Sequence, residues 1–296
     1  MILPPPHIAV LVLDTPIQGI TEKYGDFGDN TIDLIKNTGT TSFNFVKYQL
    51  NTEDPEQLEK VYEELYSAVH NHLIEGFALT GSRSDAFSTL PWLVKFKSVL
   101  KNTILKLDKP VVGLCFGHQV IASVLGCKVD RSNDGWEVGI TTISINDDIY
   151  KLKDSPFTEL SQTENIDDAG QDYDAAVLFD HLNLVESHRD VVLGGLPTDF
   201  INFGSTSKCS IQGMVSIDNG DGNKRNCRVI TFQGHPEFTT DLALDLLKYK
   251  FDAGLLNEKE YEKAKYHTSS LNNQGNLIGK VINKFLFNEA HTKEEA

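Results

Sequence analysis

The stretch that most restricts how this chain can fold is residues 109–122. Pro110 precedes a short apolar run, Val111-Val112-Gly113-Leu114, and the run stops at Cys115. Apolar residues on both faces are the pattern of a parallel strand buried between helix layers. Residues 118–125 then read as a helix closed by Gly126. The chain must therefore turn from strand to helix at a cysteine, with Gly113 and Gly117 two residues to either side. That is the spacing of a nucleophile elbow, with cysteine in place of serine. A turn this tight leaves no room for side chains at the two glycines. The free N–H groups and partial positive charge of a helix start favour thiolate over thiol. They can also stabilise the oxyanion formed when a thiolate attacks a carbonyl. The alternative role for such a cysteine is that of a small buried hydrophobe.

A second stretch weighs against that alternative. Residues 228–232 read as a strand, and Gln233-Gly234-His235-Pro236-Glu237 follows it. In an extended segment His235 and Glu237 face the same way. Pro236 keeps His235 out of the helical region and so holds that path. His235 can then act as the base for a thiol, with Glu237 fixing its tautomer and charge.

Gly113-Leu114-Cys115-Phe116-Gly117-His118-Gln119 together with Gln233-Gly234-His235-Pro236-Glu237 resembles the class I glutamine amidotransferase domain. The likeness is greatest to stand-alone members similar to the glutaminase half of GMP synthase, and it spans roughly the first 240 residues, the size of one α/β domain. The resemblance implies a flavodoxin-like α/β fold: an open, mostly parallel sheet with helices on both faces and the site at the carboxyl ends of the strands. It implies backbone N–H groups of Phe116 and of the Gly81-Ser82 turn as the oxyanion hole. Gln119 is similar to the family residue that faces bound glutamine. Ser187-His188-Arg189-Asp190 resembles the segment that holds the glutamine α-amino and α-carboxylate groups through Ser187, His188 and Asp190. A helix N-cap at Ser187 is the competing reading of that segment. His118 is expected on the helix surface or behind the site. No cofactor and no metal are implied.

The 296 residues suit one large domain with a core at about 7–250. The formal net charge of −15 argues against a nucleic-acid partner, because phosphate binding needs a basic surface. No apolar run approaches the ~20 residues of a membrane span, so no membrane partner is expected. The residues at 1–6 lack the basic start and apolar core of a secretory signal. The four cysteines match no zinc spacing, and a catalytic thiol needs a reducing compartment. A cytoplasmic protein is the expectation.

Strands are expected at 8–13, 43–50, 77–80, 141–145, 175–179, 209–217 and 226–232. Helices are expected at 31–36, 54–73, 92–107, 240–250, 258–266 and 277–287, the last two beyond the family's usual end. The glycine-rich loop at 24–29 lacks any phosphate-loop pattern. A turn is expected at 218–223 and a frayed tail at 290–296. The polar, acidic stretch at 148–174 reads as a surface insertion, able to form a lid or a docking face. Three functions compete. One is a glutaminase that takes glutamine and passes ammonia to an acceptor-binding protein in trans. A second is a stand-alone hydrolase or peptidase for γ-glutamyl compounds. The third is a catalytically silent binding protein, against which the intact Cys115, His235 and Glu237 stand.

Overall fold

The computed structural model describes residues 4–15, 17–39, 43–153, 155–163, 176–217 and 227–287. The first half runs β1 (His7–Val12), α1 (Thr21–Tyr24), α2 (Phe27–Thr38), β2 (Asn44–Gln49), α3 (Pro55–His70), β3 (Ile74–Leu79), α4 (Pro91–Asn102), β4 (Val111–Leu114) and α5 (Phe116–Val124). Nine strands follow: β5 (Lys128–Arg131), β6 (Glu137–Ile145), β7 (Ser161–Thr163), β8 (Ala176–Leu178), β9 (His181–His188), β10 (Asp190–Leu193), β11 (Phe200–Asn202), β12 (Gly204–Ser205) and β13 (Gly213–Ser216). The strand β14 (Val229–Phe232) precedes α6 (Thr240–Asp252), α7 (Glu258–Ser270) and α8 (Gly275–Leu286).

The central sheet has the order β11-β13-β14-β4-β3-β1-β2. From β14 to β2 every pairing is parallel, and β13 and β11 add an antiparallel edge. Successive strand residues face opposite sides, so the continuous apolar runs feed two cores. Ala9, Leu11, Phe77, Leu79 and Val111 meet Tyr62, Phe96 and Val120 of α3, α4 and α5. Ile8, Ala78, Val112, Leu114 and Phe232 meet Ile35 of α2 and Ile278 and Ile282 of α8. The strands β3, β4 and β14 are neighbours and end level with one another: Leu79 lies opposite Gly113, and Phe232 opposite Leu114. The residues that follow them, Thr80-Gly81, Cys115 and Gln233-Gly234-His235, are therefore delivered to one place. Beside that edge, β6 and β9 form a long antiparallel ladder, from Glu137 opposite His188 to Ser144 opposite His181.

Several expectations are corrected. Asp26 caps α2 and shares a capping box with Asp29, so the helix starts at Phe27 and the glycine-rich loop is its entry. No helix begins at Ser187, because β9 runs to His188 and β10 resumes at Asp190. The strand expected at 209–217 is confined to Gly213–Ser216, while β6 starts earlier than expected, at Glu137. The described part of the acidic stretch is no surface loop. Ile149, Phe157 and Leu160 are fully buried and pack with Phe203 and Phe232. The remainder of that stretch, at 164–174, lies outside the described residues, as do the turn at 218–223 and the tail at 290–296.

Candidate active site

The elbow is strained where the sequence requires it. Cys115 has φ 48° and ψ −100°, a left-handed conformation that costs a non-glycine residue about 1–3 kcal/mol. It is held by its own N–H, which donates to the Phe232 carbonyl at 2.8 Å. Close approach explains both glycines. A Cβ at Gly117 would stand 2.6 Å from the Leu79 carbonyl oxygen, and one at Gly113 would stand 2.8 Å from Ile121 Cδ1. The helix α5 begins directly after Cys115, so the Phe116 N–H has no acceptor four residues back. The Gly81-Ser82 turn lies beside Cys115. Gly81 lies so near the site that a Cβ there would meet His235 Cε1 at 2.9 Å and Cys115 Cβ at 3.7 Å. Asp14 pins the turn, accepting from Arg83 N and Nε, each at 2.9 Å.

His235 is 4 % exposed. Its backbone N–H donates to Val185 of β9 at 2.8 Å, which keeps the segment extended as Pro236 requires. Its Nδ1 lies 2.8 Å from Glu237 Oε1, and its ring stacks on Phe238 at a centroid distance of 4.0 Å. Burial alone would push the imidazole down. The charges of Cys115 and Glu237, with a hydrogen bond to each, outweigh burial and hold it up at about 10. Buried Cys115 and the hydrogen-bonded His235–Glu237 pair thus meet in one place, an arrangement suited to deprotonating a thiol and returning the proton to a leaving group.

The other candidates are divided between the cleft and its supports. Gln119 donates Nε2 to the Asp190 carbonyl at 2.9 Å and to Gln233 Oε1 at 3.1 Å. Gln233 in turn points Nε2 at Cys115 Sγ, 3.6 Å away. Sequence reasoning passed over Gln233; its place directly after β14, level with Cys115, is the signal that finds it. Ser187 lines the cleft. Asp190 does too, with Oδ1 3.0 Å from Arg131 Nε. His188 sits between two carboxylates, its Nε2 3.1 Å from Glu137 Oε2 and 3.2 Å from Glu186 Oε2. Burial opposes the charge on His188, but hydrogen bonds to Glu137 and Glu186 hold its pKa up at about 10. Burial pushes Glu186 up. The cluster ties β6 to β9 and braces the wall that Ser187 and Asp190 form.

His118 is not on the helix surface. It is fully buried, with Nδ1 2.8 Å from Thr231 Oγ1, and burial together with the nearby His188 pushes it down to about 3. It is a neutral packing residue, with no path to act as a second base. Glu137, His188 and Cys209 bring one potential metal-ligand atom each within 4.8 Å of the others. These atoms are already engaged. Cys209 donates to the Ile211 carbonyl, and Glu137 accepts from Thr206, Gln212 and His188.

Cys115 and His235 open onto a cleft of about 440 Å³. The β9–β10 turn, Gln119 and Arg131 line it, together with Trp136, Tyr249, Lys250 and Leu255. None of the described residues of the acidic stretch lines it.

Comparison with known proteins agrees with this architecture. A glutamine amidotransferase-like protein of Schizosaccharomyces pombe is 29% identical over 266 residues, covering 87% of this chain and 90% of its own. Gamma-glutamyl peptidase 2 of Arabidopsis thaliana is 31% identical over 194 residues, 64% of each chain. The crystal structure of a glutamine amidotransferase from Thermotoga maritima superposes with a TM-score of 0.57 at 19% identity, over 95% of this chain and 98% of that one, and so shares the flavodoxin-like fold. Residues 80–251, which carry the Gly81-Ser82 turn, the elbow and the His-Pro-Glu segment, match the family Glutamine amidotransferase class-I. The chain belongs to the class-I glutamine amidotransferase family.

Proposed function

We propose that this protein hydrolyses the γ-amide C–N bond of glutamine or of a γ-glutamyl compound through a γ-glutamyl thioester on Cys115. The thiolate attacks the γ-carbonyl carbon and the C–N bond breaks. The departing ammonia or amine takes a proton from His235. Water, deprotonated by the same imidazole, then opens the thioester and releases glutamate. Glu237 orients the ring. Phe116 N–H and the Gly81-Ser82 turn take the oxyanion, and Ser187 and Asp190 hold the α-amino and α-carboxylate groups, with Gln119 and His188 setting their wall. The observation that carries this reading is the alignment of a strained Cys115 with the His235–Glu237 pair at the ends of adjacent parallel strands.

The ammonia-supplying glutaminase and the γ-glutamyl hydrolase share this chemistry and differ in what leaves. The cleft favours the hydrolase. Its volume of about 440 Å³ falls among pockets for ligands larger than a lone amino acid, and it continues past the thiol to Trp136 and Lys250. Glutamate release from glutamine and from γ-glutamyl dipeptides, each measured with the purified chain, tests the reading. Release that Cys115→Ala abolishes is expected from at least one. Release unaffected by Cys115→Ala would overturn it.

A further inference from the structure

The cleft lies in an acidic protein yet presents several cations, and their partners separate them. Arg83 is held by Asp14, through Nε at 2.9 Å and a second nitrogen at 3.1 Å. Arg131 is shared between Asp85 and Asp190. Arg189 is exposed and belongs to the wall assigned to the γ-glutamyl α groups. Lys250 differs from all of these. It reaches from α6 into the cleft and is partly buried, with Nζ over the Trp136 ring, 4.4 Å from its centroid. Among the described residues no carboxylate or carbonyl oxygen pairs with it. Burial pushes its ammonium down to about 8, with the charge of Cys115 working in the opposite direction.

A cation without a counter-ion in a half-desolvated position is unfavourable until an anion arrives. Lys250 lines the same cleft as Cys115 and His235, near enough to the nucleophile for the two charges to interact, and His235 protonates what leaves. The departing amine of a γ-glutamyl dipeptide carries a carboxylate on the carbon next to its nitrogen, so that charge is delivered close to the reacting carbonyl. Ammonia from glutamine has nothing to offer this group.

We propose that Lys250 is a specificity-determining residue that selects γ-glutamyl compounds whose departing amine bears a carboxylate. This rests on the thioester reading above. Trp136 holds the ammonium in place from one side, and Tyr249 and Leu255 complete a partly apolar subsite around it. The charge-assisted hydrogen bond forms to the intact substrate, so it lowers KM more than it raises kcat.

The test compares kcat/KM for γ-glutamyl-glycine and for γ-glutamyl-glycinamide, which lacks only the carboxylate charge. The proteins are the full-length wild type, Lys250→Met and Lys250→Arg. Wild type should prefer γ-glutamyl-glycine by about tenfold to a hundredfold, the worth of one charge-assisted hydrogen bond. Lys250→Met should bring that ratio close to one, chiefly through KM for γ-glutamyl-glycine, and Lys250→Arg should restore part of it. Labelling of Cys115 by a glutamine-mimicking electrophile verifies that each variant retains a folded site. A wild-type ratio near one, or a ratio that survives Lys250→Met, would overturn the role of Lys250 and leave the thioester reading intact. Absence of Cys115-dependent glutamate release from glutamine and from both dipeptides would overturn both.

Discussion

At the residue scale, the proposed chemistry rests on a backbone conformation that cysteine adopts only under constraint. The constraint comes from the Phe232 carbonyl and from the close packing at Gly113 and Gly117. Removing the sulfur in Cys115→Ala should abolish glutamate release without lowering Tm. The base and its orienter should be unequal. His235→Ala should reduce kcat by about 10²- to 10⁴-fold, the range for a general acid–base group, and Glu237→Gln should cost less. Equal losses in steady-state assays would mean that Glu237 does more than orient the ring. Gly81→Ala tests the proposed oxyanion role of the Gly81-Ser82 turn separately. Its methyl would reach within 2.9 Å of His235 Cε1, so kcat should fall while urea stability stays near that of wild type. The triad candidates were legible in the sequence because a tight turn and an i, i+2 pair after a strand are local patterns. Gln233, Glu186 and Lys250 were harder to see, since each acquires its role only from a neighbour far along the chain. Lys250 in particular reads as one more polar position on an amphipathic helix until Trp136 and Cys115 are placed beside it.

At the element scale, the parallel strands were legible because burial on both faces writes a continuous apolar run, as in β1, β3 and β4. The β6–β9 ladder was not. Its register brings inward-facing polar residues, Glu137, Glu186 and His188, into a buried cluster, so the usual alternation of apolar and polar residues breaks. The acidic stretch misled for the opposite reason: Ile149, Phe157 and Leu160 are isolated apolar residues among charges, yet all three are buried. The terminal helix α8 is likewise part of the core. Ile278, Val281 and Ile282 are at most 1% exposed, and Gly279 packs against Thr38 of α2. Ile282→Ala should therefore destabilise the protein by about 2–5 kcal/mol, the range for an aliphatic-to-alanine change in a core. Urea denaturation measures this, and a change under 1 kcal/mol would mean that α8 is peripheral.

For the whole molecule, three buried histidines set opposite limits on stability with pH. His188 and His235 are held up at about 10, against 6.5 for an ordinary imidazole. A raised pKa means that their contribution is complete below 6.5 and is lost as the pH climbs toward 10. His118 is pushed down to about 3, so its contribution is complete above 6.5 and is lost as the pH falls toward 3. Tm should be highest near neutrality and decline on both sides, and His118→Gln should flatten part of the acid limb. Calorimetry across that range checks it, and a Tm rising steadily from pH 7 to pH 10 would contradict the charge states assigned to His188 and His235. Of these histidines His235 is the one paired in charge with a thiol, Cys115, one of four cysteines. Cys127 and Cys209 are pushed up by burial, which leaves them poor nucleophiles, and Cys227 lies beside Ser216, away from the cleft. The most direct measurement is intact-mass spectrometry and peptide mapping after brief exposure to a glutamine-mimicking electrophile, with and without a γ-glutamyl dipeptide. A single adduct on Cys115, suppressed by the dipeptide, is the expected result. Adducts spread over the other cysteines, or an unmodified Cys115, would contradict the assignment of Cys115 as the nucleophile.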